Sequence, residues 1–150
     1  MIADLHLGDE RACASRPFAN AKEMDCVIFQ RWNLAVRSHD IVYVLGDIGR
    51  RGRIGCLSDL RGEKHLVAGN CDDLRAIART DIFASVSICR KLKGFLLTHI
   101  PVHPNQIGRS LINVHGHLHA MRVGETGYCC VSVEQTNYTP VTLESLAITR

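Results

Sequence analysis

The chain has 150 residues, 46% hydrophobic and 22% charged, with a formal net charge of +3. That length suits a single domain, 1–150, with a core of its own, and the composition is globular. The charge is too mild to indicate a nucleic-acid binder. No apolar run approaches the roughly 20 residues that span a bilayer. The opening Met1-Ile2-Ala3-Asp4 lacks the basic-then-apolar pattern of a signal peptide. The expected location is therefore cytoplasmic, with no membrane partner. Seven cysteines, at 13, 26, 56, 71, 89, 129 and 130, form no paired CxxC arrangement and are expected to be reduced thiols.

In chain order, Asp4-Leu5-His6-Leu7-Gly8-Asp9 comes almost at once. Three residues are few for a central strand, which usually needs about five, so a stunted first strand is expected. Residues 19–36 read as a helix, with Ala21, Met24, Ile28, Trp32 and Ala35 near helical spacing and Trp32 packed in the core. Ser38-His39-Asp40 form a turn. Ile41-Val42-Tyr43-Val44-Leu45 is a continuous apolar run that suits a strand buried on both faces, and it ends at Gly46-Asp47. A basic, Gly-rich loop over 49–55 follows, then a short helix over 54–60. Residues 65–68 form a second buried strand ending at Gly69-Asn70-Cys71. Asp72 or Asp73 caps a helix over 74–79. Residues 85–89 and 95–98 read as a hairpin across 90–94, ending at His99. The prolines at 101 and 104 make a loop. Residues 111–114 form a strand before His115-Gly116-His117-Leu118-His119, 128–133 form another, and 140–146 close the chain as a short helix or turn. This alternation favours an α/β fold.

Five stretches set a metal-ligand type just past an apolar strand: Asp4-Leu5-His6, Gly46-Asp47, Gly69-Asn70, His99 and His117-Leu118-His119. A carboxylate leaving a buried strand can enter the crevice where the strands of an α/β sheet end. Residues two apart in extended chain project to one side, so Asp4 with His6, and His117 with His119, can each deliver two ligands. Oxygen and imidazole donors together suit Mn, Fe, Zn, Co or Ni. Glycines before Asp47, Asn70 and His117 permit close approach.

The set resembles the calcineurin-like metallophosphoesterase superfamily, whose pattern is DxH, GD, GN(H/C)(D/E), H and GHxH. The resemblance runs from Asp4 to His119. The flanking residues 66–70 and 133–140 look like small phage-type or bacterial phosphoesterases. It implies an α/β/β/α sandwich, four layers with two mixed sheets face to face. It also implies two divalent metal ions, with Mn preferred: Asp4, His6 and His119 hold the first, Asn70, His99 and His117 the second, and Asp47 bridges them. Metals about 3.5–4 Å apart can clamp a phosphoryl group and activate a shared water. The implied activity is hydrolysis of phosphomonoesters or phosphodiesters by a metal-activated hydroxide, with Asp47 and Asn70 central to catalysis and Asn70 also contacting substrate.

Cys71 stands where the superfamily often has His, a residue thought to protonate the leaving group. His103 is the expected substitute near the substrate. Among Arg50, Arg51 and Arg53, read otherwise as a solvated loop, Arg50 is the candidate contact for an anionic substrate. Substrate choice is expected from loops 49–55 and 100–110. His39 and His65 read as surface or turn residues, and His115 as a support for the ligands. The short start predicts a weakly held Asp4 and His6. The competing readings are a non-catalytic interaction module on the same fold, as a retromer subunit exemplifies, and a nuclease, which would want a long basic groove. Oligomeric state is open.

Overall fold

The structure, a computed structural model, describes residues 1–108 and 111–147, with Arg51 and Ala147 described by backbone alone. The chain is an α/β protein with two sheets. It begins with α1 (Glu10–Cys13) and α2 (Ala21–Ala35). Asn20 caps α2 by accepting from the Glu23 amide at 2.9 Å, and the Glu23 carboxylate accepts from Ala19 N at 2.7 Å. This pair of caps starts the helix at Ala21, not at Ala19. Trp32 is fully buried and its indole N–H donates to the Arg61 carbonyl at 2.9 Å.

The first sheet has the order β1 (Ile41–Val44), β2 (Glu63–Val67), β3 (Phe83–Ser87). It is parallel throughout, so the expectation of two mixed sheets holds only for the second. A 3-10 segment, Arg51–Asp59, connects β1 to β2, and α3 (Leu74–Ile77) connects β2 to β3. The second sheet has the order β4 (Cys89–Leu92), β5 (Phe95–Thr98), β6 (Ile112–His115), β7 (Tyr128–Cys130). Its β4–β5 pair is antiparallel and the rest parallel. Two further helices are short, α4 (Pro104–Ile107) and α5 (Leu143–Ala147).

The expected hairpin of 85–89 with 95–98 is corrected. Residues Phe83–Ser87 pair with β2, and β5 takes Cys89–Leu92 as its partner. The chain turns at Lys93-Gly94, both with positive φ (46° and 87°), a conformation suited to a two-residue hairpin turn. Two strands that nearly abut look like one when read by alternation.

The segment before Asp4 is short but well placed. Ile2 and Ala3 are fully buried. Ile2 N donates to Tyr43 O at 3.1 Å and Ile2 O accepts from Leu45 N at 2.8 Å. Ala3 N donates to Val131 O at 2.9 Å and Ala3 O accepts from Val133 N at 3.1 Å. The two residues thus splice the sheets together, one bonding to each. One apolar cluster joins Met24, Ile28 and Trp32 of α2 to Val42, Val44 and Leu66. A second collects Tyr43, Leu45 and Val67 from the first sheet with Phe95, Leu97 and Val114 from the second. No helix among the described residues is long and apolar enough to cross a membrane. All seven cysteines are free thiols.

Candidate metal centre

The Ile2-Ala3 segment runs parallel to β1 and to the strand end at Ser132. β1 and β2 are parallel, as are β5, β6 and β7. Parallel strands end on one side, so the turns after them collect there. The structure brings Asp4, His6, Asp47, Asn70, His99, His117 and His119 to this edge. Ligand atoms of Asp4, His6 and His119 all lie within 4.8 Å of one another, as do those of Asp4, Asp47 and His99. Asp4 is common to both groups. Asp47 lies between two histidines, its Oδ2 3.6 Å from His6 Nε2 and its Oδ1 3.5 Å from His99 Nε2. Asn70 Oδ1 lies 2.9 Å from the same His99 nitrogen. The His117 ring meets His99 edge-on at 5.2 Å, and His6 stacks on His119 at 5.2 Å.

The backbone reaches this arrangement through uncommon conformations. Asp4, His6, Asp47, His117 and His119 all have positive φ, between 49° and 68°. Such residues persist where the surroundings over-determine them, and they cluster at functional sites. The surroundings here are specific. Asp4 N donates to Gly46 O and His6 N to Asp47 O, at 3.1 and 3.0 Å. The Asp72 carboxylate accepts from three amides, Asp47, Ile48 and Gly69, at 3.1, 2.9 and 2.8 Å. Asp73, not Asp72, caps α3 through Ala76 N. A Cβ on Gly46 would come within 2.6 Å of the Gly69 backbone and the His99 ring, and one on Gly116 within 2.6 Å of Ala3 Cβ and Asp4 Oδ2. These glycines are there because the neighbouring loops touch.

Several polar atoms are left over. Asp4 Oδ2 accepts from His117 N at 2.9 Å and the Ser132 hydroxyl at 2.7 Å, but buried Asp4 Oδ1 has no partner. His6 Nε2 is also buried without a hydrogen bond. The His99 Nδ1 lies 2.8 Å from the Leu45 carbonyl. If Nδ1 carries the proton there, Nε2 presents a lone pair to two more oxygens, of Asn70 and Asp47. Buried lone pairs facing one another are costly unless a cation lies among them. The donor set therefore fits divalent metal.

Burial lowers the His6 pKa, opposed by the Asp47 charge. The hydrogen bond to Glu134 raises that of His119 against the effect of burial. Burial pushes Glu134 up, but its bond to His119 and the Arg16 charge hold it below the usual carboxylate range. The Cys71 thiol is pushed up to about 11, by burial first and then by its bond to Asp47.

Other expectations fare differently. His103 is exposed and its Nδ1 accepts from Asn105 N, at the start of α4. Arg50 is exposed, its guanidinium 3.9 Å from Asp9. Arg53 is partly exposed and pairs with buried Asp25 at 2.6 Å. His39 is an exposed turn residue, whereas His65 lies in β2 between Ser85 and Glu63. His115 is buried with Nδ1 on the Gly116 carbonyl. The end of loop 100–110 lies outside the described residues. Asp4 is not weakly held, because the guanidinium of buried Arg16 donates to the carbonyls of Asp4 and Leu5 at 2.7 and 3.1 Å. Three residues of the site went unread in the sequence: Arg16, Glu134 and Ser132. The signal for Glu134 was its place in the 133–140 stretch of the resemblance, which carried no assignment to the site. Arg16 gave none.

The chain is 30% identical over 159 aligned positions to Uncharacterized protein MJ1445 of Methanocaldococcus jannaschii, covering 96% of this chain and 86% of that protein. The chain belongs to that protein's family. It is also 35% identical over 77 residues to the Gene 66 protein of Mycobacterium phage L5, covering 47% of this chain and 37% of that protein. The crystal structure of AQ665, a protein of unknown function from Aquifex aeolicus, superimposes with a TM-score of 0.78. That likeness covers 99% of this chain and 97% of AQ665 at 22% identity, and it concerns the fold. No family model matches the chain.

Proposed function

We propose that the chain is a metal-dependent phosphoesterase of the calcineurin-like kind, built as an α/β/β/α sandwich around a dinuclear centre. The observation that carries this reading is the convergence of the strained Asp and His turns on unpartnered buried atoms, Asp4 Oδ1 and His6 Nε2. The two apolar cores, one under α2 and one between the sheets, support the layered architecture. Asp4, His6 and His119 would hold one ion and Asn70, His99 and His117 the other. Asp47 suits the bridge because its two oxygens face His6 and His99. When bound, the ions supply a water of lowered pKa and positive charge against the phosphoryl oxygens.

The chain's own groups do the rest. Glu134 and Leu45 O fix which nitrogens of His119 and His99 face the centre. Asn70, at the outer side of His99, is placed to orient a phosphoryl oxygen. Cys71, whose amide donates to Asp47 Oδ1 at 2.9 Å, carries a thiol and no imidazolium to protonate a leaving alkoxide, which favours substrates with good leaving groups.

The test is turnover of an aryl phosphomonoester, an aryl phosphodiester, cyclic nucleotides and single-stranded DNA by Mn²⁺-loaded protein, with Asp47→Ala as control. Hydrolysis of an aryl ester that Asp47→Ala abolishes is expected. Silence of the wild type across Mn, Fe, Zn, Ni and Co would sink the reading in favour of a non-catalytic scaffold. A steep salt dependence with DNA cleavage would move it to a nuclease.

A further inference from the structure

Arg16 and Glu134 lie outside the five ligand-bearing motifs, though Glu134 falls in the 133–140 stretch of the resemblance, and they connect the parts of the candidate centre. Glu134 Oε1 takes the His119 ring at Nδ1 at 2.9 Å and Arg16 Nε and Nη2 at 2.8 Å each. Arg16 also donates from Nη2 to the Asp4 carbonyl and from Nη1 to the Leu5 carbonyl and Met24 Sδ. The Arg16 side chain is buried, while that of His119 is 42% exposed. One ion pair thus grips all three residues of the Asp4, His6, His119 group. It fixes the His119 ring directly, and it fixes Asp4 and His6 through the main chain around Leu5, where both flanking residues have left-handed φ.

The other position is held differently. His99 Nδ1 rests on the main-chain carbonyl of Leu45, just past β1. Asp47 is held by amides that Asp72 gathers and by Cys71 N. No charged side chain from outside the motif loops takes part there among the described contacts. The charged pair thus supports the first position and not the second, although Asp4 Oδ2 links the two by accepting from His117 N at 2.9 Å.

We propose that Arg16 and Glu134 are a positioning pair that sets the metal affinity of the Asp4, His6, His119 position and leaves the Asn70, His99, His117 position largely untouched. The inference rests on the dinuclear reading above. A carboxylate behind a ligating imidazole holds the ring in its donor tautomer and raises its basicity, and losing such support typically lowers metal affinity about 10–100-fold. The two ions should then load unequally when the pair is broken.

The experiment is calorimetric titration of metal-free protein with Mn²⁺, together with metal content after gel filtration. It uses wild type, Glu134→Gln, and two references, His119→Ala and His99→Ala, which identify the two classes of site. Wild type should take up two equivalents. Glu134→Gln should keep the class that His99→Ala abolishes, within about threefold, and lose about 10–100-fold in the class that His119→Ala abolishes. A merely structural role would weaken both classes together. Should Glu134→Gln fail to fold, Glu134→Asp retracts the carboxylate by one methylene while keeping the charge opposite Arg16, and the same selective loss is expected. Equal weakening of both classes, or none, overturns the positioning role while leaving the dinuclear reading standing. A wild type that binds no divalent metal overturns both.

Discussion

The adjacent aspartates 72 and 73 do unlike jobs, and their substitution separates them quantitatively. Asp72 Oδ2 accepts from the amides of Asp47 and Gly69, and Oδ1 from Ile48. In Asp72→Asn one oxygen remains. Its better orientation keeps the two-amide side and turns the new NH2 toward Ile48 N, a donor facing a donor. One charge-assisted hydrogen bond is lost, worth about 1.5–3 kcal/mol, and the two survivors weaken to neutral strength. The expected cost is therefore about 2–4 kcal/mol, a large part of the roughly 5–15 kcal/mol that stabilises a domain. For a chain of this size the melting temperature should fall by about 4–16 °C. Asp73 caps a four-residue helix through Ala76 N, so Asp73→Asn should cost well under the roughly 1 kcal/mol typical of losing a cap. The assay is thermal and urea unfolding of metal-free protein, followed by circular dichroism. An Asp72→Asn variant within about 0.5 kcal/mol of wild type, the usual range for an inert surface change, would refute the clamp. So would an Asp73→Asn variant that costs as much.

Three further outcomes are expected. Gly116→Ala drives a methyl to within 2.6 Å of Ala3 Cβ and Asp4 Oδ2; overpacking of this kind costs about 1–3 kcal/mol, and Mn²⁺ affinity should drop with stability, as unfolding and titration will read. Buried Lys64 donates to the carbonyls of Leu60 and Gly62, and desolvation lowers its pKa in the fold. The unfolded chain therefore holds the extra proton, so this group adds stability as pH rises through its folded pKa and stops adding it near the usual lysine value of about 10.4; in the difference between wild type and Lys64→Met that alkaline rise should appear, and a flat difference would contradict it. Cys71→His restores a group able to protonate a leaving oxygen, so the rate on alkyl phosphodiesters should rise relative to aryl ones, and an unchanged ratio would show that position 71 takes no part in proton transfer.

Much of the site was legible because of where ligand-type residues fall. Asp47, Asn70 and His99 each follow a short run of buried apolar residues, and a run that stops at Gly plus a polar residue marks a strand end without any alignment. The same logic failed at Phe83–Leu92, where Ile88 alone separates two strands that belong to different sheets. Period-two alternation says that a stretch is extended; it does not say which neighbour it pairs with. Asp72 was legible as a helix cap and proved to be a clamp, since Asp offers the same acceptor to any nearby amides. Arg16 was illegible for a plainer reason. Besides Glu134, 118 residues away, and Met24 Sδ, its partners are the carbonyls of Asp4 and Leu5, and main-chain acceptors leave no trace in residue identity.

The strained residues and their supports belong to one energetic argument. Five left-handed turns at Asp and His cost up to about 1–3 kcal/mol each, with Asp the more tolerant. Unopposed, they would approach the whole stability of the domain. What opposes them is local: the splice of Ile2 and Ala3 between two sheets, the Asp72 clamp, the Arg16 grip on Asp4 and Leu5, and glycines where loops touch. Each of these adjoins or hydrogen-bonds a residue of left-handed φ. A fold with no use for the strained geometry would reach lower energy by relaxing the turns and filling the glycine positions. That both the strain and its supports are present, and concentrated at one edge, argues that holding these carboxylates and imidazoles together is what this end of the protein is built to do.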